Sequence, residues 1–298
     1  MTGLLLIDKP SGVTSHDVVD HVRRAARTRR VGHTGTLDPN ATGLLIICIE
    51  KATRLSEHLT RLDKTYEGTM RLGIVTESYD LDGQVVEEKP VPELTLEDIQ
   101  KICDTYTGAI EQAPPMVSAV KVGGERLYKK ARKGEVVERV ARAVTVYEFS
   151  VLAYNAPDAI VRVRCTSGTY VRSLCHDVGQ QIGCGAVLAS LRRTAVGKHH
   201  VENATPMNEI TTPEDVTSRL LSIDTALDMP EVVLRELRRA IINAGGSLAN
   251  SDLLAPCELR EGWVQIKSEQ GELLALGMIQ PTAAGARIQP KRVFVGND

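Results

Sequence analysis

The apolar residues of this chain come in short runs, and that spacing limits the fold before anything else does. The longest stretches, such as Leu4-Leu5-Leu6-Ile7 and Leu44 to Ile49, have the length of buried strands. They fall far below the ~20 residues a helix needs to cross a bilayer. No membrane span is expected. Residues 1–9 set Asp8 and Lys9 directly after an apolar run, with no basic start and no small-residue cleavage site. A secretory signal is therefore not expected, and the cytoplasm is the expected location.

The first strand, Leu4 to Ile7, is ended by the turn Pro10-Ser11-Gly12. Ser15 reads as the N-cap of an amphipathic helix with Val18, Val19, Val22, Ala25 and Ala26 on its apolar side and arginines opposite. Residues 31–43, VGHTGTLDPNATG, show no periodicity and read as a loop in special backbone conformations. Leu44 to Ile49 is a second strand, and Leu55, Leu59 and Leu62 suggest a short helix. Tyr66 to Leu72 reads as a strand, with Asp82-Gly83 a turn and Gln84 to Glu87 a return strand. Thr95 and Asp98 form a capping pattern for a helix running to Gly108. Pro114-Pro115 opens a strand through Val122, which Gly123-Gly124 turns into a basic helix. Ile160 to Cys165 alternates, with Val161, Val163 and Cys165 on one face and Arg162 and Arg164 on the other. Strands and helices thus intermix without a βαβ rhythm, which predicts an α+β fold.

At 298 residues the chain suits a main domain plus an appendage. The pattern changes near Asp228, where a helical stretch (Val232 to Ala244) precedes short strands such as Val264 to Lys267 and Leu273 to Ile279. We expect domains at 1–227 and 228–298, the second a small, mostly β module.

Net charge is only −2, but its distribution is uneven. Five arginines lie within 23–30, eight Lys/Arg stand against three Glu within 121–142, and Arg192-Arg193 with Lys198 form a third basic group. Acidic stretches occupy 77–98 and 202–231. Such division suits a molecule with one face turned to phosphates. Six scattered cysteines lack the two-residue spacing of a zinc grip, so reduced structural thiols and no metal site are expected.

Asp38 is surrounded by glycines, threonines and a proline, a poor folding choice unless the backbone is shaped for a task; a plain Asx-turn is the bland alternative. No Gly-x-x-x-x-Gly-Lys run exists, so a phosphate-cradling loop is excluded. With only 3% aromatics, Tyr66 in Asp63-Lys64-Thr65-Tyr66 and Tyr170 in Ser167-Gly168-Thr169-Tyr170-Val171-Arg172 stand out.

The string GHTGTLDPNATGLL (32–45), preceded by LLLIDKPSGVTSHDVV (4–19), closely resembles the bacterial tRNA pseudouridine-55 synthases of the TruB type. The likeness continues in order through DKTYEGTMRLG (63–73), DLDGQV (80–85), PPMVSAVKVGGERLYKKARKG (114–134), SGTYVRSLCHDVG (167–179) and LRRTAVG (191–197), covering nearly all of the first 200 residues. The closing segment resembles, more weakly, a PUA-like RNA-binding module. The wording departs from the family's at Val117, where an aromatic is usual, at Glu77-Ser78-Tyr79 before Asp80, and in the C-terminal module.

The resemblance implies the pseudouridine synthase fold, a mixed, largely antiparallel central sheet flanked by helices. It also implies an isomerase that breaks the N-glycosidic bond of a uridine in the tRNA T-arm, turns the base and joins C5 to the ribose, without metal or redox cofactor. Glycosidic cleavage builds positive charge at the sugar carbon, which a carboxylate can stabilise or attack; addition to the uracil ring is the other route. Asp38 is carried over as the nucleophile and Arg172 as the charge partner that keeps it ionised. Because the base must leave its stack, Tyr66 is assigned to stack on the extruded ring and is a candidate for removing the C5 proton. His33 would fill the vacated space, and Tyr170 and Leu191 would line the uracil pocket. The three basic groups would meet the RNA backbone. The expected partner is the T-arm of tRNA, with no membrane and no obligate protein partner, and the expected state is a monomer. The alternatives are a guide-RNA pseudouridine synthase, which would lack the DLDGQV hairpin and the 114–134 insertion, and a tRNA-folding chaperone without turnover.

Overall fold

The computed structural model describes residues 1–115, 121–122, 125–126, 139–283 and 285–295. The strands are β1 (Gly3–Lys9), β2 (Val31–His33), β3 (Thr42–Ile49), β4 (Lys64–Leu72), β5 (Ile74–Thr76), β6 (Val85–Glu88), β7 (Gly108–Gln112), β8 (Lys121–Val122), β9 (Glu125–Arg126), β10 (Arg142–Asn155), β11 (Asp158–Cys165), β12 (Ala186–Val196), β13 (His199–His200) and β14 (Thr205–Pro206). Four more follow, β15 (Glu231–Val233), β16 (Gly262–Lys267), β17 (Leu273–Gln280) and β18 (Arg287–Val293). The α-helices are α1 (Ser15–Ala26), α2 (Ser56–Arg61), α3 (Leu96–Asp104), α4 (Val171–Ile182), α5 (Pro213–Ser218) and α6 (Arg239–Asn243). None is long and apolar enough to cross a membrane.

One sheet carries the molecule, in the order β14-β1-β3-β12-β4-β11-β10-β7, with β2 beside β3 and β13 beside β12. Within this sheet, among the described residues, only the pairs β1/β14 and β3/β12 are parallel, so the expected mixed, largely antiparallel sheet is present. The apolar patterns explain the layers. In β11, Ala159, Val161, Val163 and Cys165 are buried against α3 and α4 while Arg162 and Arg164 face outward. In β3 both faces are covered: Leu45, Ile47 and Ile49 meet Val18, Val19 and Val22 of α1, and Leu44, Ile46 and Cys48 face a second core. A strand buried on both sides reads as an unbroken apolar run.

Four local expectations change. Thr14, not Ser15, caps α1, because the reciprocal box needs a carboxylate three residues on and Asp17 supplies it. β6 pairs with β5 rather than with β4, since β11 and β12 occupy both edges of β4. Residues 31–33 form a strand at the head of the expected loop. Glu231–Val233 is a strand parallel to β16, as suits the β-branched pair Val232-Val233, and the α-helix there is confined to α6. The strand expected from Pro114 and the basic helix after Gly124 lie largely outside the described residues; of the residues described there, β8 pairs with β9.

The C-terminal sheet, β15-β16-β17-β18, adheres to the main sheet. Leu273, Leu276 and Phe294 share a core with Leu4, Leu6, Leu55 and Leu59, and Trp263 meets His58 edge-on at 4.4 Å.

Candidate active site

The loop after β2 carries Asp38, and buried groups beneath it set its shape. Lys9 is fully buried, and its Nζ donates to the carbonyls of Pro10, Val13 and Pro39 at 2.9, 2.7 and 2.9 Å. Burial pushes its pKa down to about 8. Ser15 Oγ donates to Leu37 O at 3.1 Å and accepts from Leu37 N at 2.9 Å, while the Gly12 amide donates to Pro39 O at 3.0 Å. At the far end Gly43 has φ +97°, and a Cβ there would lie 2.3 Å from the carbonyl oxygen of Arg193, so only glycine lets β3 approach β12 this closely. Ser15→Ala would leave the Leu37 amide unpaired in the interior. The variant is expected to lose about 1–3 kcal/mol in a urea melt.

Across the cleft stands Arg172 in the first turn of α4. Gln112 fixes the start of that helix: its Nε2 donates to Tyr170 O at 3.0 Å and its Oε1 accepts from Tyr170 N at 2.6 Å. The Arg172 side chain is 6% exposed and serves two carboxylates, with Nη2 3.3 Å from Asp38 Oδ2 and Nη1 2.8 Å from Asp80 Oδ2. Nη1 also donates to Ser78 O at 3.3 Å. Asp38 is 50% exposed, so one side of its carboxylate is free to meet a ligand. Loss of hydration raises its pKa above the ordinary aspartate value; Arg172 and Lys9 oppose this, and Asp80 and Asp82 add to it.

Asp38 sits between two openings. A cleft of about 620 Å³ is lined by Asp38, Asn40, Asp80, Asp82, Arg172 and Leu191 among others. A smaller cavity of about 330 Å³ is lined by Asp38, Tyr66, Tyr170, Arg172 and Leu191, with Lys64 and Arg193. Five of the six residues singled out in the sequence therefore converge on one cavity. Tyr66 comes from the middle of β4, paired with Val163 and Arg193, and burial pushes its phenol pKa up. His33 is the exception. It ends β2 opposite Ile47, is partly buried with Nδ1 unpartnered among the described residues, and lines neither opening.

Within the third basic group, Arg193 is not available to RNA phosphates as expected. Arg193 is 1% exposed and donates through Nε to Leu44 O at 2.7 Å and through Nη2 to Gly35 O at 3.2 Å. Arg192 is held by both oxygens of Asp8 at 3.0 and 2.7 Å. Lys198 is exposed, with its Nζ 3.3 Å from Leu227 O.

Sequence reasoning missed Asp80, Lys9, Ser15, Lys64 and Gln112. Asp80 left a signal: Oδ1 accepts from the Asp82 amide at 3.1 Å, an Asx-turn that the Asp80-x-Asp82-Gly83 wording encodes. Lys64 is buried and donates to Leu62 O at 2.6 Å and to Thr60 O, with a pKa pushed down to about 8. Lys64 lies within the quoted DKTYEGTMRLG segment, but its buried role is not encoded there, and Gln112 belongs to no pattern a single sequence reveals. Among the described residues no cluster of metal-ligating side chains occurs, and five of the six free cysteines are buried.

Residues 23–171 match the family model for the TruB family pseudouridylate synthase N-terminal domain, and residues 172–242 match that for the tRNA pseudouridylate synthase B C-terminal domain. The chain belongs to the TruB family of pseudouridylate synthases. Among its TruB relatives, tRNA pseudouridine synthase B of Opitutus terrae is 50% identical over 210 residues, which is 70% of this chain and 87% of that protein. The protein of the same name from Thermobifida fusca is 43% identical over 266 residues, 85% of this chain and 91% of its own. Of solved structures, a chain in a Cbf5–Nop10–Gar1 complex superposes with a TM-score of 0.77 at 26% identity, over 98% of this chain and 85% of that one. The two TruB models meet at Val171 and Arg172, inside the first turn of α4, whereas the central sheet runs on to β14.

Proposed function

We propose that this protein isomerises uridine to pseudouridine at position 55 in the T-arm of tRNAs, acting alone, with Asp38 as the reacting carboxylate. The observation that carries this reading is the Asp38 carboxylate, half-exposed between two cavities and 3.3 Å from the buried guanidinium of Arg172. Tyr66, Tyr170 and Leu191 would enclose the extruded ring in the smaller cavity. Asp38 would stabilise or attack the centre left electron-poor as the glycosidic bond breaks. The freed uracil then turns in place, C5 bonds to the sugar carbon as any Asp38–sugar bond breaks, the C5 proton leaves to solvent or to a nearby acceptor, and N1 takes up a proton. Arg172 would hold the carboxylate oriented throughout.

We further propose residues 1–227 as the catalytic unit and 228–298 as an RNA-binding module. Supporting this, the four-stranded sheet begins at Glu231. We also propose that the chain acts as a monomer, in the cytoplasm, the compartment that holds its tRNA substrate.

The test is release of tritium from C5 of a labelled T-arm stem-loop by the purified chain without guide RNA. Stoichiometric release is expected. Binding without release would favour the chaperone, and release only after a guide RNA is added would favour a guide-dependent enzyme. Because Asp38 must be ionised and its pKa is raised, the rate should fall as pH drops through that pKa. The acid limb should thus lie above the ~3.9 of an unperturbed aspartate.

A further inference from the structure

Tyr79, one residue before Asp80, stands in a left-handed backbone conformation, φ +65°, that side chains seldom adopt. Its ring lies flat on the imidazole of His176, with centroids 3.9 Å apart and planes inclined by 17°. His176 follows Arg172 by four residues on α4, so the two project from one face of the helix. Consecutive residues of the loop therefore meet that face. Tyr79 covers His176, and the Asp80 carboxylate takes Arg172 Nη1 at 2.8 Å.

The rest of the loop leaves little slack. Thr76 Oγ1 donates to Asp80 O at 2.6 Å, and the Leu188 amide donates to Tyr79 O at 3.0 Å. A Cβ on Gly83 would lie 2.2 Å from Ser78 Oγ, so the turn closes on itself only with glycine there. His176 Nδ1 is buried without a hydrogen-bond partner among the described residues. No hydrogen bond at that atom orients the imidazole, and the face of Tyr79 does. Desolvation lowers the His176 pKa, which favours the neutral form of the stacked ring.

We propose that Tyr79 and His176 are positioning residues, whose ring stack fixes the loop so that Asp80 holds the Arg172 guanidinium where Asp38 needs it. This rests on Asp38 being the reacting carboxylate. Neither ring touches substrate; both act through Asp80.

The experiment compares single-turnover rate and stem-loop Kd for the wild type, Tyr79→Ala, Tyr79→Phe, Asp80→Asn and the double variant Tyr79→Ala/Asp80→Asn. Tyr79→Ala should slow turnover about tenfold, the scale on which sub-ångström misplacement acts, with Kd unchanged. Tyr79→Phe, which keeps the ring, should restore the rate. In the Asp80→Asn background, Tyr79→Ala should cause no further loss. A wild-type rate for Tyr79→Ala, failure of Tyr79→Phe to rescue, or the same tenfold loss in both backgrounds would overturn the inference. Absence of product from the wild type would instead overturn the reading of the site, and this inference with it.

Discussion

Asp38→Asn is expected to bind a T-arm stem-loop as tightly as the wild type and to form no pseudouridine. The substitution keeps side-chain volume, and the loop does not depend on the carboxylate for its shape. Lys9, Ser15, Gly12 and Arg193 hold it through backbone atoms of Leu37, Pro39 and Gly35. An amide, however, carries no negative charge to meet an electron-poor sugar carbon and does not add to a uracil ring. The loss should be on the order of 10⁴-fold or more, as when a nucleophile is removed from an otherwise intact site. Affinity should survive because phosphate contacts supply most of it, and removing one negative charge does not oppose a polyanion. Asp38→Glu should retain a trace, about 10²-fold down, since one methylene displaces the reacting oxygen by about an ångström. Filter binding and tritium release on the same preparations read both quantities.

Tyr66→Ala is the second large effect. Stacking on an aromatic face is worth ~1–3 kcal/mol per base, comparable to the cost of unstacking the nucleotide. Without it the flipped state loses its main compensation, and single-turnover rates should fall on the order of 10²-fold. The ring also packs against the core of α3, α4 and β11, so a melting curve must accompany the rate. Tyr66→Phe separates the two roles considered for this residue. Recovery of the rate assigns Tyr66 to stacking, and a loss as deep as that of Tyr66→Ala assigns the hydroxyl to removal of the C5 proton.

The parts of this architecture that local physics dictates were legible in the sequence. The alternation of β11 and the T-x-x-D box at Thr95 each follow from burial on one face or from a single reciprocal hydrogen-bond pair. So did the loop around Asp38, because glycines, threonines and a proline around a carboxylate have few other uses. The partner of β6 was not legible, since it depends on β4 being enclosed on both sides, a fact of topology rather than of residues 84–88. Arg193 misled for a similar reason. As a charge in a basic group it reads as exposed, yet two backbone carbonyls satisfy it inside the protein. Asp80 lies 42 residues beyond Asp38 in the chain, and only the fold brings both to one guanidinium.

The most direct test is a structure of Asp38→Asn bound to a T-arm stem-loop containing the unreacted uridine. The nucleotide at position 55 should be swung out of its stack into the cavity lined by Tyr66, Tyr170 and Leu191. Its sugar C1′ or ring C6 should lie within about 3.5 Å of the side chain at position 38, the separation of a near-attack arrangement. A uridine still stacked in the T-loop, or held in the larger cleft with neither carbon near position 38, would contradict it.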